Sequence, residues 1–358
     1  MNITAPHIEA AENRIRDYIL DTPLLHSTQF SQRTGADIYL KLENHQYTGS
    51  FKARGAMNKV LSFMDEQRHI RAGIPARTIR SGENPTLPVI ITASTGNHGL
   101  GVARAIQLTG LSGKIYIPEN ASPAKVAALK QYPVELITHG RDSLETELYA
   151  KQMAHDQHAT WISPYNDPDI IAGQGTIGIE LTRQLENIRA VYVTVGGGGL
   201  ISGIATWFAE YSPQTEIIGC LPENSPEMKL SVEAGHVVHL DESKPTLSDG
   251  SAGGMENGSI TFPICQKLVK RYLLVSEKEI ADAIHEVCET HGERIEGAAG
   301  VAVAAMMKDA GKYKSQRVVA IVCGGNIEKE KFWDVVKHED IAISISDFRF
   351  RISDICSD

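Results

Sequence analysis

Apolar positions follow two different spacings along this chain. From residue 89 onward, short runs of β-branched and other apolar residues alternate with longer stretches in which apolar residues recur three or four positions apart. The first pattern predicts strands and the second predicts amphipathic helices, so their alternation indicates a parallel sheet with crossover helices. We predict strands over residues 89–92, 114–117, 135–138, 160–163, 191–195, 217–221 and 318–322, and helices over residues 97–108, 123–131, 143–158, 170–185 and 200–211.

Two of these strands are almost entirely apolar. Residues 89–91 read Val-Ile-Ile, and residues 318–322 read Val-Val-Ala-Ile-Val. Strands that are covered by helices on both faces have this composition, whereas a strand with one wet face alternates polar and apolar residues. The fold class is therefore predicted to be α/β, with mostly parallel sheets flanked by helices.

The segment before residue 89 predicts one further strand and one further helix. The strand-like run 37–43 leads into Gly49-Ser50-Phe51-Lys52-Ala53-Arg54-Gly55, and a helical pattern follows over residues 53–64. Lys52 therefore lies at a strand-to-helix junction among small residues, although a lysine taken alone is usually solvated. Residues 73–88 and 241–258 contain several glycines and prolines and are predicted to be loops.

The composition restricts the class of protein. The 358 residues include 35 basic and 44 acidic side chains, a net charge of −9, with no tract of five basic residues, which argues against a nucleic-acid partner. No apolar run approaches the roughly 20 residues that a membrane-spanning helix needs. The first residues contain no apolar signal core, and the five cysteines form no Cys-x-x-Cys pair. We expect a cytoplasmic protein with reduced thiols and no membrane partner.

Three predicted strands end in polar or glycine-rich sequences. In chain order, the segments that follow these strands are Ala93-Ser94-Thr95-Gly96-Asn97-His98-Gly99, Gly196-Gly197-Gly198-Gly199-Leu200 and Cys323-Gly324-Gly325-Asn326. In an open parallel sheet, ligands bind outside the carboxyl ends of the strands. The three junctions are therefore predicted to share one ligand site.

The run from Gly196 to Gly199 is the strongest single motif. Successive glycines let backbone N–H groups converge on an anion, and the helix predicted after them adds the positive end of its dipole. A tight strand-to-helix turn is the alternative interpretation. The segment has neither a G-x-G-x-x-G frame nor a following Gly-Lys-Ser/Thr, so it favours a single phosphate over a dinucleotide or a nucleoside triphosphate.

A second polar segment offers groups of a different kind. Ser94, Thr95 and Asn97 supply hydroxyl and amide groups where a helix is predicted to begin, an arrangement that suits a carboxylate or simply caps the helix. His98, taken alone, is more often a structural histidine. A lysine, a site for one phosphate and a site for a carboxylate together suggest pyridoxal phosphate with an amino-acid substrate.

With these motifs in this order, the chain resembles fold-type II pyridoxal-phosphate enzymes of the serine/threonine dehydratase (ammonia-lyase) and serine racemase family. The resemblance covers about residues 5 to 335 and includes Thr22-Pro23-Leu24, Lys41-Leu42-Glu43, and residues 49–55, 94–99, 196–200, 295–300 and 323–326. It implies a tryptophan-synthase-β-like fold, in which two open, twisted, mostly parallel sheets are flanked by helices. The cofactor would lie in the cleft between the two lobes.

The resemblance also implies roles for individual residues. Lys52 would carry the cofactor and act as catalytic base, and Phe51 would pack beside the cofactor ring. Asn97 would bond the phenolic oxygen, and Cys323 would stand against the ring nitrogen, where the family usually has serine. The backbone of Gly196, Gly197, Gly198, Gly199 and Leu200 would hold the phosphate. The substrate carboxylate site would be lined by Ser94, Thr95, Asn97 and His98, of which Ser94 and Thr95 are also candidate catalytic residues.

The reaction that the resemblance implies is β-elimination from a β-hydroxy amino acid such as threonine or serine, which yields a 2-oxo acid and ammonia. Two alternatives stay open. Serine racemases of the family use a serine as second base where this chain has Thr95. Residues 253–262 are similar to dehydratases of larger hydroxy amino acids, of the hydroxyectoine-utilisation type, and 3-hydroxyaspartate is a further candidate substrate.

A metal site receives little support from the sequence. Where the family has a divalent-cation site, two acidic side chains contribute to it; Glu223 matches the first, but Lys229 stands at the second. Glu223 is therefore a weak candidate, and no metal ligands are assigned. His285, Cys288 and His291 are spaced too unevenly around a helix to share one ion, and we predict that they lie on a solvated helix face.

The predicted domain organisation is discontinuous. A large cofactor-binding domain is expected to comprise residues 1–60 and 166–340, with a small substrate-side domain of residues 61–165 inserted into it and a tail over residues 341–358. We expect a homodimer or homotetramer whose other partner is a small amino-acid substrate.

Overall fold

Two separate sheets organise the chain in the computed structural model, which describes residues 3–73, 88–240 and 244–337. The strands within these ranges are β1 (Leu24–His26), β2 (Asp37–Leu42), β3 (Ile90–Ala93), β4 (Gly113–Ile117), β5 (Glu135–Thr138), β6 (Thr160–Trp161), β7 (Ile188–Thr194), β8 (Glu216–Pro222), β9 (Arg271–Val275) and β10 (Arg317–Val322). The helices are α1 (Ala5–Ile15), α2 (Thr28–Thr34), α3 (Lys52–Gly73), α4 (Asn97–Thr109), α5 (Pro123–Leu129), α6 (Ser143–Asp156), α7 (Pro168–Gln184), α8 (Gly199–Tyr211), α9 (Glu227–Ala234), α10 (Thr261–Leu268), α11 (Glu277–His291), α12 (Gly297–Asp309) and α13 (Lys329–Lys337).

The larger sheet has six strands in the order β1-β2-β10-β7-β8-β9, and the smaller sheet has four in the order β5-β4-β3-β6. All neighbouring strands pair in parallel except β1 and β2, which are antiparallel. We call the six-stranded sheet with its helices the large lobe and the four-stranded sheet with its helices the small lobe. The predicted fold class, two open and mostly parallel sheets flanked by helices, is confirmed.

The central strands of the large lobe are buried on both faces, as their composition predicts. In β10 every residue from Val318 to Val322 is buried, and in β7 the residues from 190 to 194 are buried as well. Helix α12 covers one face of this sheet with a surface of alanine, valine and glycine. On α7 and α8 the backbones approach so closely that a Cβ at Gly203 would lie 2.6 Å from the amide nitrogen of Gly175.

Most predicted elements occur within a few residues of their expected bounds. The structure adds β1 and β9, the two edge strands of the large sheet, which the apolar pattern did not reveal. It also shortens the strand predicted over 160–163 to β6, and it extends the helix predicted over 53–64 to α3. The predicted loop over 73–88 and the tail over 341–358 lie almost entirely outside the described residues.

A cluster of buried charges joins the start of α3 to the rest of the large lobe. Arg54 donates from Nε and Nη2 to the two carboxylate oxygens of Glu43 at 2.8 and 2.7 Å, and from Nη1 to Glu180 at 2.6 Å. Lys41 Nζ donates to the other oxygen of Glu180 and to the carbonyl of Thr22. All four charged side chains are at most 2% exposed.

The cluster is neutral, with two cations and two anions, and its hydrogen bonds offset the cost of burial. Burial alone would lower the pKa of Arg54, but Glu43 and Glu180 outweigh that effect and raise it. Burial would likewise raise the pKa of Glu180, yet Arg54 and Lys41 lower it. Both groups are therefore charged in the folded protein, and the loss of either partner would leave an uncompensated charge.

Replacing Arg54 by methionine is expected to destabilise the protein by about 3–5 kcal/mol, because Glu43 and Glu180 would keep their burial and lose their common partner. Urea unfolding followed by circular dichroism measures the loss. The matched control is Arg141→Met just before α6, which breaks a solvent-exposed pair with Glu145 and should cost about 1 kcal/mol or less. Equal shifts of the unfolding midpoint in the two variants would contradict the role assigned to Arg54.

Candidate active site

The carboxyl ends of β3, β7 and β10 open onto one cavity of about 670 Å³ between the two lobes. The three glycine-rich or polar junctions predicted to share a site therefore do line a single space. All of the sequence-predicted cofactor and substrate residues contribute to its wall: Phe51, Lys52, Ser94, Thr95, Asn97, His98, Gly196, Gly197, Gly198, Gly199, Leu200 and Cys323.

Lys52 is the first residue of α3, and its amine points into the cavity. Nζ donates a hydrogen bond to the carbonyl of Pro164 at 2.7 Å and lies 5.2 Å from the centroid of the Phe51 ring. Burial lowers the pKa of Lys52 to about 8, although the negative charges of Glu147 and Glu296 oppose this shift. Near neutral pH a fraction of the Lys52 amines is therefore unprotonated and able to accept a proton.

The loop that carries Lys52 is tied to the end of β10. The amide of Phe51 donates to the carbonyl of Cys323 at 3.1 Å, and the amide of Gly325 donates to the carbonyl of Gly49 at 2.9 Å. Gly49 has a φ of +70°, and a Cβ there would lie 2.6 Å from Oδ1 of Asn326. Glycine is therefore required at this position, and the close approach fixes the lysine relative to the large sheet.

The glycine run forms the turn between β7 and α8. Gly198 has a φ of +85°, and a Cβ at this position would lie 2.8 Å from Cε of Met228. A Cβ at Gly197 would overlap the ring of Tyr165, and one at Gly199 would lie 3.0 Å from the Tyr165 backbone. A side chain is thus disfavoured at positions 197 and 198, and one at position 199 would require Tyr165 to shift.

The same turn presents backbone donors that the protein does not use. Within the described residues, the amides of residues 196–200 donate to no protein acceptor, and they lie at the N-terminal end of α8. Unused N–H groups at a helix start form a site for an anion such as a phosphate. This turn and the lysine amine across the cavity fit the two ends of pyridoxal phosphate.

A second set of donors lies at the start of α4. Ser94 Oγ accepts a hydrogen bond from the amide of Gly96 at 3.1 Å, which shapes the turn before the helix. The amides of Thr95 and Asn97 have no acceptor among the described residues. These donors suit a small carboxylate, which agrees with the site that the sequence suggests there.

His98 lies behind this turn and is 4% exposed. Its Nε2 is 3.0 Å from the hydroxyl of Thr92 and 3.2 Å from the carbonyl of Ile162. Burial, together with a smaller effect of the charge of Lys52, lowers the pKa of His98 to about 3. The imidazole is therefore neutral near pH 7, and it anchors the start of α4 to the strands of the small sheet.

Glu296 is a site residue to which the sequence assigned no role. Asn97 Nδ2 donates to both of its carboxylate oxygens, at 2.8 and 3.0 Å, while Asn97 Oδ1 accepts from Asn326 Nδ2 at 2.6 Å. These contacts fix which way the Asn97 amide faces. Burial raises the pKa of Glu296 to about 7, and the charge of Asp249 contributes, whereas the bonds from Asn97 and Asn326 oppose the shift.

Sequence reasoning missed Glu296 because it directly precedes the apolar helix α12, where an acid is an ordinary helix-start residue. The only signal was its place in the segment Ile295-Glu296-Gly297-Ala298-Ala299-Gly300, which forms part of the family resemblance. The segment alone does not reveal that Glu296 meets a side chain 199 positions earlier in the chain.

Cys323 is the first residue after β10 and is 3% exposed. Burial raises the pKa of its thiol well above the ordinary value, and the nearby charge of Glu296 adds to this effect. The thiol is therefore protonated and neutral at physiological pH. It can take part in a weak hydrogen bond but cannot supply a negative charge.

The remaining candidates lie away from the cavity. Glu223 follows β8, where its amide donates to the carbonyl of Val275, and Lys229 pairs with Glu233. Across the described ranges, no group of three or more His, Cys, Asp or Glu side chains could hold a metal ion.

The prediction that His285 and His291 lie on a solvated helix face is wrong. His285 Nδ1 lies 3.0 Å from the carbonyl of Val336, and His291 Nε2 lies 2.9 Å from the hydroxyl of Ser27. Both are half-buried because α11 packs against α13 and against the N-terminal segment.

Among the described helices, none combines the length and the apolar composition needed to cross a membrane.

Comparison with known proteins extends these observations. A family model described as pyridoxal-phosphate dependent enzyme matches residues 15–324. An L-threonine ammonia-lyase of Geobacter sulfurreducens is 37% identical over 335 residues, which cover 94% of this chain and 78% of the relative.

Two solved structures are similar over nearly their whole length. Threonine deaminase isoform 2 of Solanum lycopersicum superposes with a TM-score of 0.80 at 32% identity and covers 94% of both chains. Maize serine racemase superposes with a TM-score of 0.81 at 28% identity, over 94% of this chain and 98% of the racemase. The motifs, the fold and these matches agree, and the chain belongs to the pyridoxal-phosphate-dependent enzymes of the threonine dehydratase and serine racemase family.

Proposed function

We propose that this protein is a pyridoxal-phosphate-dependent ammonia-lyase that converts a β-hydroxy amino acid, with threonine as the first candidate, into a 2-oxo acid and ammonia. The observation that carries the proposal is the Lys52 amine, which has its pKa lowered to about 8 and shares a cavity with the unused donors of residues 196–200. Similarity to L-threonine ammonia-lyase and threonine deaminase supports the same activity.

Pyridoxal phosphate, when bound, supplies an electron sink that makes the Cα–H bond of an attached amino acid acidic. Lys52 would bind the cofactor, and its amine would accept the Cα proton once the substrate amine has taken its place. An amine with a pKa near 8 suits this task because it is partly unprotonated at neutral pH. The β-hydroxyl would leave as water with one proton, which balances the proton that Lys52 takes from Cα, and addition of one water to the released product would yield the 2-oxo acid and ammonia.

The anchored side chains would fix the orientation of the bound cofactor. Asn97, held by Glu296 and Asn326, would meet the phenolic oxygen, and Phe51 would pack beside the ring. Cys323 would stand against the ring nitrogen as a neutral thiol. Because a neutral group does not keep that nitrogen protonated, charge at Cα is less dispersed, and prompt loss of a β-leaving group is favoured.

The donors at the start of α4 would hold the substrate carboxylate. Ser94 and Thr95 would contribute hydroxyls, the amides of Thr95 and Asn97 would donate to the carboxylate, and His98 would support the turn from behind. With the carboxylate held there and the amine held near Lys52, the configuration at Cα would decide whether its hydrogen faces the Lys52 amine.

Serine racemisation is the second candidate, because maize serine racemase has a similar structure. A racemase needs a second base on the opposite face of Cα. Thr95 is the residue that matches the family's serine, and its hydroxyl has no hydrogen-bond partner among the described residues. Chiral analysis of residual serine, run beside measurement of 2-oxo acid formation, distinguishes the two reactions.

The substrate can be identified by a screen of β-hydroxy amino acids with the purified, cofactor-loaded protein, scored by ammonia and 2-oxo acid. Threonine, serine, 3-hydroxyaspartate and the larger hydroxy amino acids belong in the panel. Parallel assays with and without a chelator test a cation at Glu223. We also propose that the large domain is discontinuous in sequence, with the small domain inserted into it, as predicted above. The protein is further proposed to assemble as a dimer or a tetramer, and light scattering measures the number of chains in the assembly.

Replacing Lys52 by alanine is expected to lower kcat by at least about 10³-fold, because the variant loses both the cofactor's attachment point and the base. Borohydride reduction followed by peptide mass spectrometry should place the cofactor on the Lys52 peptide of the wild type and on no peptide of the variant. Lys278→Ala, an exposed position on α11, is the control and should keep full activity. A loss of only a few-fold in kcat would sink the assignment.

Replacing Glu296 by glutamine is expected to change how stability varies with pH. Native Glu296 retains its proton up to about pH 7, whereas the unfolded chain releases this proton near pH 4.5. Between these two values the unfolded state gains stability by ionising while the native state does not. The stability that the protonated Glu296 contributes is therefore full below pH 4.5 and is lost as the pH rises through 7. The stability of the wild type relative to the variant should therefore fall by roughly 2–3 kcal/mol between pH 5 and 8.

Urea unfolding at several pH values measures this difference, with Glu289→Gln, an exposed carboxylate on α11, as the control. The wild type and Glu289→Gln should give parallel curves, and Glu296→Gln should diverge from both. A constant difference between wild type and Glu296→Gln across this range would mean that Glu296 is ionised throughout.

A further inference from the structure

One helix of the small lobe lines the cavity with an acidic side chain that the reaction described above does not use. Helix α6 begins at Ser143, after Asp142 caps its first turn by accepting from the amide of Glu145 at 2.9 Å. Ser143 and Glu147 are four positions apart, so they lie on the same face of the helix, and both line the cavity. Glu147 therefore faces the space that a substrate would enter.

Glu147 differs from the other acids of the cavity wall. Asp249 pairs with Lys125 at 3.0 Å, Glu296 accepts from Asn97, and Glu328 accepts from the hydroxyl of Ser122. Among the described residues that line the cavity, Glu147 is the one carboxylate that receives neither a hydrogen bond nor an ion pair. Its carboxylate is therefore available to accept a hydrogen bond from a ligand, whereas the other three acids already accept from protein donors.

The charge of Glu147 also reaches the reacting centre. Burial raises the pKa of Glu147, and the neighbouring Glu256 adds to the shift, while Lys151 and Lys52 oppose it. Reciprocally, Glu147 raises the pKa of Lys52. Glu147 and Lys52 thus interact across the cavity, and a substrate attached near Lys52 would lie within the electrostatic reach of Glu147.

Apart from Lys52, the cations that line the cavity are directed elsewhere. Lys125 is paired with Asp249, and Arg294 donates to the carbonyl of Ile327 while lying over the ring of Phe332. Lys329 is exposed at the rim. A second carboxylate on the substrate would therefore meet an acid on the α6 side of the cavity.

We propose that Glu147 determines which β-substituent the site accepts: its carboxylate receives a hydrogen bond from an uncharged donor such as the β-hydroxyl and repels a second carboxylate. The inference rests on the proposed function and deepens it. Neutral β-hydroxy amino acids such as threonine and serine form the substrate class, and β-hydroxy dicarboxylates such as 3-hydroxyaspartate are rejected.

The test compares two substrates that differ in one group. Wild type and Glu147→Gln are each assayed, as cofactor-loaded protein, with L-threonine and with the 3-hydroxyaspartate isomer that carries a carboxylate in place of threonine's methyl group. The kcat/KM ratio of hydroxyaspartate to threonine should rise by about tenfold or more in Glu147→Gln, because the like-charge repulsion is removed. Glu145→Gln, an exposed carboxylate two residues away on the same helix, should leave the ratio unchanged.

Two outcomes would overturn the inference. One is a ratio in Glu147→Gln that stays within twofold of the wild type. The other is a parallel loss of kcat for both substrates, which would assign Glu147 to proton transfer instead of selection. If the wild type forms no 2-oxo acid from either compound, the proposed function fails, and the ratio of the two dissociation constants, measured by calorimetry, still decides the role of Glu147.

Discussion

The buried charge cluster around Arg54 is the interaction on which the geometry of the cavity depends. Its members come from β2, the turn after it, α3 and α7, so a single guanidinium joins the central sheet to two helices. Arg54 lies two residues after Lys52, within the first turn of α3. A helix start that is fixed by ionic contacts in the protein interior cannot rotate without breaking them, and the lysine amine is therefore presented at a constant angle to the cavity.

The fold and much of the site could be predicted from local patterns because the physics that produces them is local. A short, continuous apolar run such as residues 318–322 is typical of a strand buried on both faces, and a run of glycines before a helical pattern is typical of a tight junction. Lys52, Asn97 and Cys323 follow predicted strands, and ligands bind outside the carboxyl ends of the strands in parallel sheets. Asn97 follows a strand of the small sheet, whereas Lys52 and Cys323 follow strands of the large sheet, so the site lies between two sheets. The apolar pattern did not predict the two edge strands of the large sheet. Strand β1 has only three residues, and β9 lies at the edge of the sheet, where four of its five residues are only partly buried.

The contacts that depend on distant residues were not predictable. Glu296 meets Asn97 across the cleft, and Glu147 lies on a helix whose packing on the small sheet brings it to the cavity wall. The histidines of α11 were misjudged for the same reason, since their surroundings come from α13 and from the N-terminal segment. In each case the residue type was visible in the sequence, whereas its environment was set by tertiary packing.

The fit of Tyr165 against Gly197 and Gly199 has a consequence for reading related sequences. These glycines are required by the neighbouring ring and backbone, whether or not a phosphate is bound beside them. In a related protein that had lost its cofactor, a side chain at position 197 would still meet the Tyr165 ring, unless position 165 changed at the same time. Glycines at positions 197 and 199 in a related sequence therefore indicate the shape of the turn and do not by themselves indicate a bound phosphate. A lysine at position 52 is the feature that distinguishes an active enzyme from an inactive protein of the same fold.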